Sequence, residues 1–145
     1  MKQSIRTEII INSSKEKVWE ILTSFSEYAL WNPFIVKSEG KAEAGSRLRN
    51  TMLNNGKERT FRPIVLKAEP NQSLEWLGSL WVRGLFDGHH YFYIEAIGNG
   101  QVKFTQGENF SGLLVGPIMN AIGEDTRNNF VRFNNALKQR AEEMG

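Results

Sequence analysis

Hydrophobic and polar residues alternate most regularly between Gly84 and Gly112, and this alternation predicts two long β-strands. The strands are separated by Gly98-Asn99-Gly100, a sequence typical of a tight hairpin turn. Because side chains alternate between the two faces of a strand, the hairpin has two distinct faces. The rest of the predicted fold is arranged around this hairpin.

The register of the hairpin follows from the side-chain pairs that it would create. With Ile97 opposite Gln101, the face expected to meet water gains an opposite-charge pair and an aromatic/β-branched pair, both of which stabilise sheets. These pairs are Glu95 with Lys103 and Tyr93 with Thr105. The same register creates four pairs on the other face: Ile94 with Phe104, Phe92 with Gln106, His90 with Glu108, and Gly88 with Phe110.

Three polar side chains, His90, Gln106 and Glu108, lie on this second face among Phe and Ile residues. Burying an unpaired carboxylate is costly, so these groups either bond to one another in a filled core or line a cavity. Buried polar pairs are commoner than binding sites, and the face alone therefore favours the filled core. The hypothesis carried forward is the cavity, in which the three residues are polar groups in a mainly aromatic pocket.

The N-terminal part of the chain predicts a strand and then short helices. The strand is expected from Ser4 to Ile11, where the sequence alternates loosely and ends in β-branched residues. Ser13 followed by Glu16 is a capping-box pattern and predicts the start of a helix. The apolar stripe of this helix comprises Val18, Ile21, Leu22 and Phe25.

A turn and a meander of strands follow. Pro33 disfavours helical backbone at the preceding residue, so a turn is predicted there, with Trp31 and Phe34 folding inward. Asn55-Gly56 is a strong hairpin signal, and Pro63, which cannot donate a backbone hydrogen bond, predicts a bulge or a sheet edge. Four strands joined by short polar turns are expected over residues 34–39, 46–53, 58–68 and 73–81.

The C-terminal segment predicts a long helix that begins at Gly116-Pro117, with proline at the first helical position. A length of about 25 residues corresponds to roughly 38 Å, enough to lie across a whole sheet. Gly123 is a weak helix former and predicts a close approach to a strand or a ligand. The apolar residues recur at spacings of three and four: Met119, Ile122, Thr126, Phe130, Phe133, Leu137 and Ala141.

The order of elements lacks the alternation of strands and helices that βαβ proteins show. It predicts an α+β fold, in which a curved antiparallel sheet of about seven strands wraps around the C-terminal helix and two short helices follow the first strand. The 145 residues are expected to form one domain, residues 1–145. A curved sheet and one helix leave space between them, and nine Phe, four Trp and three Tyr residues suit the walls of a pocket.

Composition and charge exclude several classes of protein. Hydrophobic residues make up 40% of the chain and charged residues 23%, as in ordinary globular proteins. The 18 basic residues only slightly outnumber the 16 acidic ones and are scattered, so no nucleic-acid partner is expected. No apolar run approaches the roughly 20 residues that cross a bilayer, so no membrane insertion is expected. The N-terminus lacks a signal-peptide pattern, and a cytoplasmic location is expected.

The sequence also lacks the parts that common cofactors and metals require. Without cysteine, disulfides, thiolate metal sites and cysteine nucleophiles are excluded. His89 and His90 are adjacent and point to opposite faces of a strand, so they cannot chelate one metal ion without other ligands. Gly98-x-Gly100 has no third glycine before a helix, so it is a turn and no dinucleotide loop. No metal and no cofactor are expected.

Five short motifs, taken in order and spacing, resemble the START-related, polyketide cyclase and lipid-transfer superfamily (SRPBCC), which has the helix-grip fold. The resemblance covers nearly the whole chain. It implies binding of a hydrophobic or amphipathic small molecule between sheet and helix, and in a minority of members catalysis of cyclisation or dehydration. It therefore favours the cavity over the filled core. The motifs are Trp31-Asn32-Pro33-Phe34, Phe61-x-Pro63-x-Val65, Leu74-x-Trp76, Gly88-x-His90-x-Phe92-x-Ile94-Glu95 and Glu108-x-Phe110-x-Gly112-Leu113-Leu114.

The candidate binding residues combine aromatic side chains with the polar groups of the hairpin. For any single residue core packing is the better explanation, and only the set supports a pocket. Trp31 and Met119 are the preferred residues at its opening, because a loop and a helix start can move. The set comprises Trp31, Phe34, Phe61, Trp76, His90, Phe92, Phe104, Gln106, Glu108, Phe110, Met119, Phe130 and Phe133.

Three functions follow from these residues. The first is binding of a hydrophobic, ring-containing small molecule whose polar end is oriented by His90, Gln106 and Glu108. The second is a polyketide cyclase/dehydratase-like enzyme, in which His90 and Glu108 serve as the catalytic acid and base and Gln106 or Arg49 holds the developing oxyanion. The third is a chaperone-interacting module, which requires an exposed patch that includes Tyr91 and Tyr93. The protein is expected to be a monomer or a dimer.

Overall fold

The computed structural model describes residues 2–80 and 82–144, and this part of the chain contains eight strands and a long C-terminal helix. The helices are α1 (Lys15–Thr23), α2 (Tyr28–Trp31) and α3 (Val115–Met144), with a short 3₁₀ turn at Phe25–Glu27 before α2. The strands are β1 (Lys2–Ile11), β2 (Ile35–Glu39), β3 (Arg49–Asn54), β4 (Lys57–Phe61), β5 (Ile64–Glu69), β6 (Ser73–Ser79), β7 (Asp87–Gly98) and β8 (Gln101–Ser111).

The strands form two antiparallel sheets that are joined into one curved surface. Five strands pair in the order β1-β8-β7-β6-β5, and three pair in the order β2-β3-β4. Between β2 and β3, the Gly45 N–H donates to the Val65 carbonyl and the Leu48 N–H to the Pro63 carbonyl, both at 2.8 Å. The curved sheet wraps around α3, and the predicted α+β fold is confirmed.

Pro63 explains why there are eight strands where about seven were predicted. The expected strand over residues 58–68 is two strands, β4 and β5, which separate at Arg62-Pro63 because proline has no N–H for the ladder. The expected strand over residues 73–81 ends at Ser79, and Trp81 lies outside the described residues.

The predicted register of the central hairpin is confirmed for every pair from Gly88–Phe110 to Glu95–Lys103. The expected pairing of Ile97 with Gln101 is wrong, because Gly98 lies opposite Gln101 and the strand is bulged at Ile97. The shift of this last pair follows from the type of turn that joins β7 and β8.

Asn99 and Gly100 have φ values of 56° and 71°, as the two central residues of a type I′ hairpin turn require. The loop therefore contains two residues and not three. Gly98 becomes the last residue of β7, which shifts the final pair by one position.

Two helix starts differ from the predictions. Ser14, and not Ser13, caps α1, and its hydroxyl oxygen accepts from the Lys17 N–H at 3.1 Å. Helix α3 begins at Val115, so Pro117 is its third residue and not its first. Proline is tolerated there because the first four N–H groups of a helix have no partner within the helix.

Helix α3 is also longer than predicted, with 30 residues. Of the two close approaches predicted at Gly123, the one to a strand is wrong: a Cβ atom there would have only Met119 Cε nearby, at an ordinary contact distance of 3.5 Å. Gly123 thus does not touch a strand.

Aromatic rings fill the half of the interior that lies near α1 and α2. Phe133 of α3 stacks on Phe92 of β7 and Phe104 of β8, with ring centroids 5.5 and 6.4 Å apart. Tyr28 and Trp31 of α2 meet the same Phe133 edge-on. This half of the space between sheet and helix is a packed core.

Candidate functional site

His90 lies on the face of β7 that meets α3, and only 1% of its surface is exposed. Its ring packs against those of Trp76, Phe92 and Phe130, with centroids 5.1, 4.7 and 4.9 Å away. The imidazole is thus enclosed by aromatic rings, and its chemistry depends on what its two nitrogens meet.

One nitrogen of His90 ends a chain of buried hydrogen bonds. His90 Nε2 lies 2.9 Å from Gln106 Oε1, and Gln106 Nε2 donates to Asn134 Oδ1 at 2.8 Å. Asn134 Nδ2 donates to the Thr7 hydroxyl oxygen, and that hydroxyl donates to the Gln106 backbone carbonyl, both at 2.8 Å. The chain joins β7, β8, α3 and β1.

The direction of this chain is fixed at its far end. A backbone carbonyl can only accept, so the Thr7 hydroxyl donates to it and accepts from the Asn134 amide nitrogen. The Asn134 oxygen then faces the Gln106 amide nitrogen, which leaves the Gln106 oxygen to face His90. Nε2 of His90 must therefore carry a proton.

The other nitrogen of His90 faces Glu108. Nδ1 is fully buried and has no aligned hydrogen-bond partner in the described structure, and Glu108 Oε1 lies 3.3 Å from it. Because Nε2 is protonated, Nδ1 of a neutral ring would place a lone pair near the carboxylate, which repels it although the two groups are not aligned. A proton on either group removes that repulsion. The His90–Glu108 pair is thus close enough to form an ion pair when the ring is protonated, but it is not aligned as a hydrogen bond.

Gly88 provides the space for the Glu108 carboxylate. A Cβ atom at Gly88 would lie 1.9 Å from Glu108 Oε2, so any larger residue would displace the acid. The side chain of Glu108 is 18% exposed, whereas that of His90 is 1% exposed. Glu108 therefore separates the buried imidazole from a cavity.

The cavity has a volume of about 110 Å³ and lies between the β3–β4 hairpin, strands β6 to β8 and the first half of α3. Typical sites for drug-sized ligands measure about 300–1,000 Å³, and a dry cavity of about 150 Å³ accepts one benzene ring. At about 110 Å³ the space is smaller than both, so it holds no more than a single small ring. Its walls are formed by Met52, Phe61, Pro63, Trp76, Gly78, Ser79, Leu80, Phe86, Gly88, Glu108, Phe110, Ile122 and Thr126.

Four of the predicted site residues line this cavity: Phe61, Trp76, Glu108 and Phe110. The rest do not line it. Phe34 packs on Phe130 at 5.8 Å, and Gln106 is held by the hydrogen-bond chain behind His90. Phe92, Phe104 and Phe133 belong to the aromatic core. The filled core and the cavity, which were weighed as alternatives, thus each describe one half of the interior.

The two residues expected at the opening lie elsewhere. Trp31 packs on Phe133 at the opposite end of α3, with 5.5 Å between ring centroids, and Met119 is 6% exposed within the core. The cavity instead adjoins a surface groove, with which it shares Phe61, Ser79 and Leu80. Loop motion near Trp31 would therefore not open it.

Neither residue expected to hold an oxyanion reaches the cavity. Arg49 is exposed at the start of β3, and the Gln106 amide is committed to His90 and Asn134. Glu108 is the one ionisable group on the described cavity wall.

Sequence reasoning missed the residues that position His90. Asn134 follows Phe130 by four residues and so lies on the apolar stripe of α3, and Thr7 shares a face of β1 with Ile5. The available signal was a polar residue at a position that the periodicity of the helix or strand places on its buried face. The space-giving role of Gly88 had no signal, since a glycine in a strand has many causes.

The outer face of the hairpin offers little apolar surface for a protein partner. Tyr91 was expected to point outward, and it does, but it is only 7% exposed because its ring lies over Gly107, where a side chain is missing. Tyr93 stacks on it with centroids 4.9 Å apart and is 37% exposed.

Two further properties concern only residues 2–80 and 82–144. Within these ranges, no three His, Cys, Asp or Glu side chains cluster closely enough to hold a metal ion. Over the same ranges, no helix combines the length and apolar character needed to cross a membrane.

The curved sheet, the long C-terminal helix and the cavity between them define a helix-grip protein. The family model described as polyketide cyclase/dehydrase and lipid transport matches residues 2–142. The chain belongs to this family, as the five motifs indicated. No curated protein matches the sequence.

Solved structures share the fold at low sequence identity. A START superfamily protein from Mycobacterium smegmatis is 20% identical with a TM-score of 0.76, covering 98% of this chain and 99% of its own. The Zhui aromatase/cyclase from Streptomyces sp. R1128 is 15% identical with a TM-score of 0.80, covering 98% and 94%. Norcoclaurine synthase from Thalictrum flavum, solved with dopamine and hydroxybenzaldehyde, is 10% identical with a TM-score of 0.77, covering 100% and 89%.

Proposed function

We propose that the protein binds a hydrophobic or amphipathic small molecule, with a ring in the cavity and a polar group at Glu108. The observation that carries this proposal is an apolar cavity with one carboxylate on its described wall and a buried imidazole behind that carboxylate. A mainly apolar cleft with a few converging polar groups is the usual form of a small-molecule site. A polar group on that ring would meet Glu108 directly and His90 only through it.

Native mass spectrometry of the protein as purified provides the first test, because a ligand held in the cavity is expected to co-purify. Denaturing the sample should release that molecule. Protein that carries no small molecule, and that also fails to bind a neutral ring-containing probe, would contradict the proposal.

A second function, the cyclase/dehydratase, is favoured by the Glu108 carboxylate on the cavity wall, with the His90 imidazole 3.3 Å behind it. Glu108 as carboxylate would take a proton from the carbon next to a ketone, and the resulting enolate would attack a second carbonyl of the same molecule. The proton would then pass from Glu108 to the new alkoxide oxygen, and the new carbon–carbon bond closes the ring. In a second step Glu108 would take a proton from the carbon next to the new hydroxyl-bearing carbon and give it to the departing hydroxyl, so that water leaves and a double bond forms. The Zhui aromatase/cyclase has a similar fold, but its identity of 15% supports the fold alone and not the reaction.

The two functions are separated by Glu108→Gln, which keeps the size of the side chain and removes the base. An enzyme should keep the affinity for a β-keto probe and lose at least about 100-fold in turnover, the usual contribution of a general base. A binding protein should show no turnover in either form and a changed affinity for probes with a hydroxyl group. Unchanged affinity and absent turnover in both forms would show that Glu108 does not contact the ligand.

A further inference from the structure

A groove on the protein surface adjoins the cavity at the end of β6. It has a volume of about 480 Å³ and shares Phe61, Ser79 and Leu80 with the cavity wall. The cavity itself holds no more than one small ring, so the rest of a larger ligand would extend past these shared residues into the groove.

Three arginines line the groove: Arg47, Arg62 and Arg83. No acidic residue is among the groove's described lining residues, and none of the three has a carboxylate within 4.0 Å among the described residues. The Arg47 guanidinium donates to the backbone carbonyl of Arg62, the residue after β4, at 2.7 Å, and its other N–H groups remain available.

Asp87, which lies opposite Ser79 in the sheet, is already bound. Its carboxylate accepts from the Ser79 hydroxyl at 2.7 Å and from the Gly84 N–H at 3.0 Å. These bonds hold the segment that carries Arg83 and occupy both carboxylate oxygens. The groove thus keeps an excess of positive charge beside an apolar cavity.

We propose that the ligand is an anionic amphiphile, with its ring in the cavity and a carboxylate or phosphate bound by Arg62, Arg83 and Arg47 in the groove. This inference rests on the proposed function, since it specifies the ligand of the same cavity. Guanidinium groups suit both anions because their planar donors bind two oxygens at once. The linker between the ring and the anionic group of the ligand must pass Phe61 and Leu80.

The test compares matched probes by calorimetry: ω-phenylalkanoates, ω-phenylalkyl phosphates and ω-phenylalkanols with three to six methylene groups. For the best chain length, wild-type protein should bind an anion at least about tenfold more tightly than the alcohol, a difference of about 1.4 kcal/mol. This preference should fall as salt is raised, because the arginines are exposed. Whichever of the two anionic probes binds more tightly shows whether the groove prefers a carboxylate or a phosphate.

The matched variants are R62Q/R83Q, which removes two groove cations, and Lys57→Gln, which removes a cation of β4 that does not line the groove. The double variant should bring anion and alcohol within about threefold of each other and leave the alcohol affinity unchanged. Lys57→Gln should keep the full preference. Equal binding of anion and alcohol by wild-type protein would overturn the inference and leave the proposed function standing, whereas absent binding of every probe would overturn both.

Discussion

At the scale of single residues, His90 owes its state to partners that lie far away in the sequence. Thr7 and Asn134 set the direction of the hydrogen-bond chain that ends at His90 Nε2. Neither touches the imidazole, so both are positioning residues. Replacing either residue should change which nitrogen of His90 carries the proton and should not change where the ring lies.

Thr7→Val tests this role because it keeps the shape of the side chain and removes the hydroxyl. Without that anchor, the Asn134 amide is free to reverse, and only the long 3.5 Å bond from Gln106 Nε2 to the Phe130 carbonyl still orients the Gln106 amide, so His90 should be confined less strictly to the Nε2-protonated form. Nitrogen-15 NMR of the imidazole should show Nε2 fully protonated in wild-type protein and a mixture of tautomers in the variant. Leaving buried polar groups unsatisfied should also lower the free energy of unfolding by about 1–3 kcal/mol.

The control for this experiment is Thr126→Val. Thr126 donates its hydroxyl to the Ile122 carbonyl within α3 and has no bond to the chain. The Thr126→Val variant should leave the nitrogen-15 spectrum of the His90 imidazole unchanged. The same tautomer mixture in Thr126→Val, or none in Thr7→Val, would refute the directional chain.

Gly88 and Gly78 form a matched pair for testing the position of Glu108. They lie opposite each other in β7 and β6, and both line the cavity. A Cβ atom at Gly88 would overlap the Glu108 carboxylate at 1.9 Å, whereas one at Gly78 would lie 3.7 Å from Pro63. Gly88→Ala should therefore move Glu108 away from His90 and change the NMR signal of Nδ1, and Gly78→Ala should not.

We expect both glycine variants to fold, because the atom displaced by Gly88→Ala is at the end of a flexible side chain. Their free energies of unfolding should agree within about 1 kcal/mol. An unchanged Nδ1 signal in Gly88→Ala would mean that the imidazole and the carboxylate do not interact.

At the scale of elements, local patterns predicted most of what local forces decide. The hairpin register followed from side-chain pairs, and only the last pair differed, because a two-residue turn replaced a three-residue one. The break at Pro63 was expected, but the sequence did not say whether it would end a strand. The start of α3 was misplaced, since proline fits anywhere in the first helical turn.

The C-terminal end of α3 is tied to the end of β1 by an acid. Lys138 donates to Glu142 at 2.5 Å, and the Asn12 N–H donates to the same carboxylate at 2.8 Å. The hydrogen bond from Lys138, followed by that from Asn12, lowers the pKa of Glu142. A lowered pKa in the folded state stabilises the protein at a pH above the ordinary carboxyl value, and this contribution is lost as pH falls through the lowered pKa.

Glu142→Gln should therefore lower the thermal midpoint at pH 7, and the difference from wild type should shrink as pH is lowered below the ordinary glutamate value of 4.5. Thermal denaturation followed by circular dichroism from pH 7 to pH 3 measures this. Glu143→Gln, at a neighbouring position that bonds only to the neutral Gln139 side chain in the described structure, is the control and should show no such trend. A constant difference at all pH values would show that the tie carries no charge interaction.

At the scale of the whole molecule, the sequence predicted the fold and the presence of space inside it, but not how that space is divided. Aromatic residues supply both pocket walls and core, and their spacing in a strand or helix does not distinguish the two uses. Phe92 and Phe133 stack into a core, whereas Phe61 and Phe110 line the cavity. That division depends on the crossing of α3 over the sheet, which involves contacts between residues distant in the chain.

The central claim is that the cavity between β6–β8 and α3 receives the apolar ring of a ligand. The most direct measurement is an NMR-monitored titration of wild-type protein, Gly78→Ala and Gly78→Val with a neutral ω-phenylalkanol, which depends on the cavity and not on the arginines. Wild-type protein should bind with chemical-shift changes centred on Gly78, Phe110 and Ile122, and Gly78→Val, which fills the cavity, should lose at least about tenfold in affinity, with Gly78→Ala between them. Equal affinity in folded Gly78→Val, or shift changes confined to other surfaces, would contradict the account.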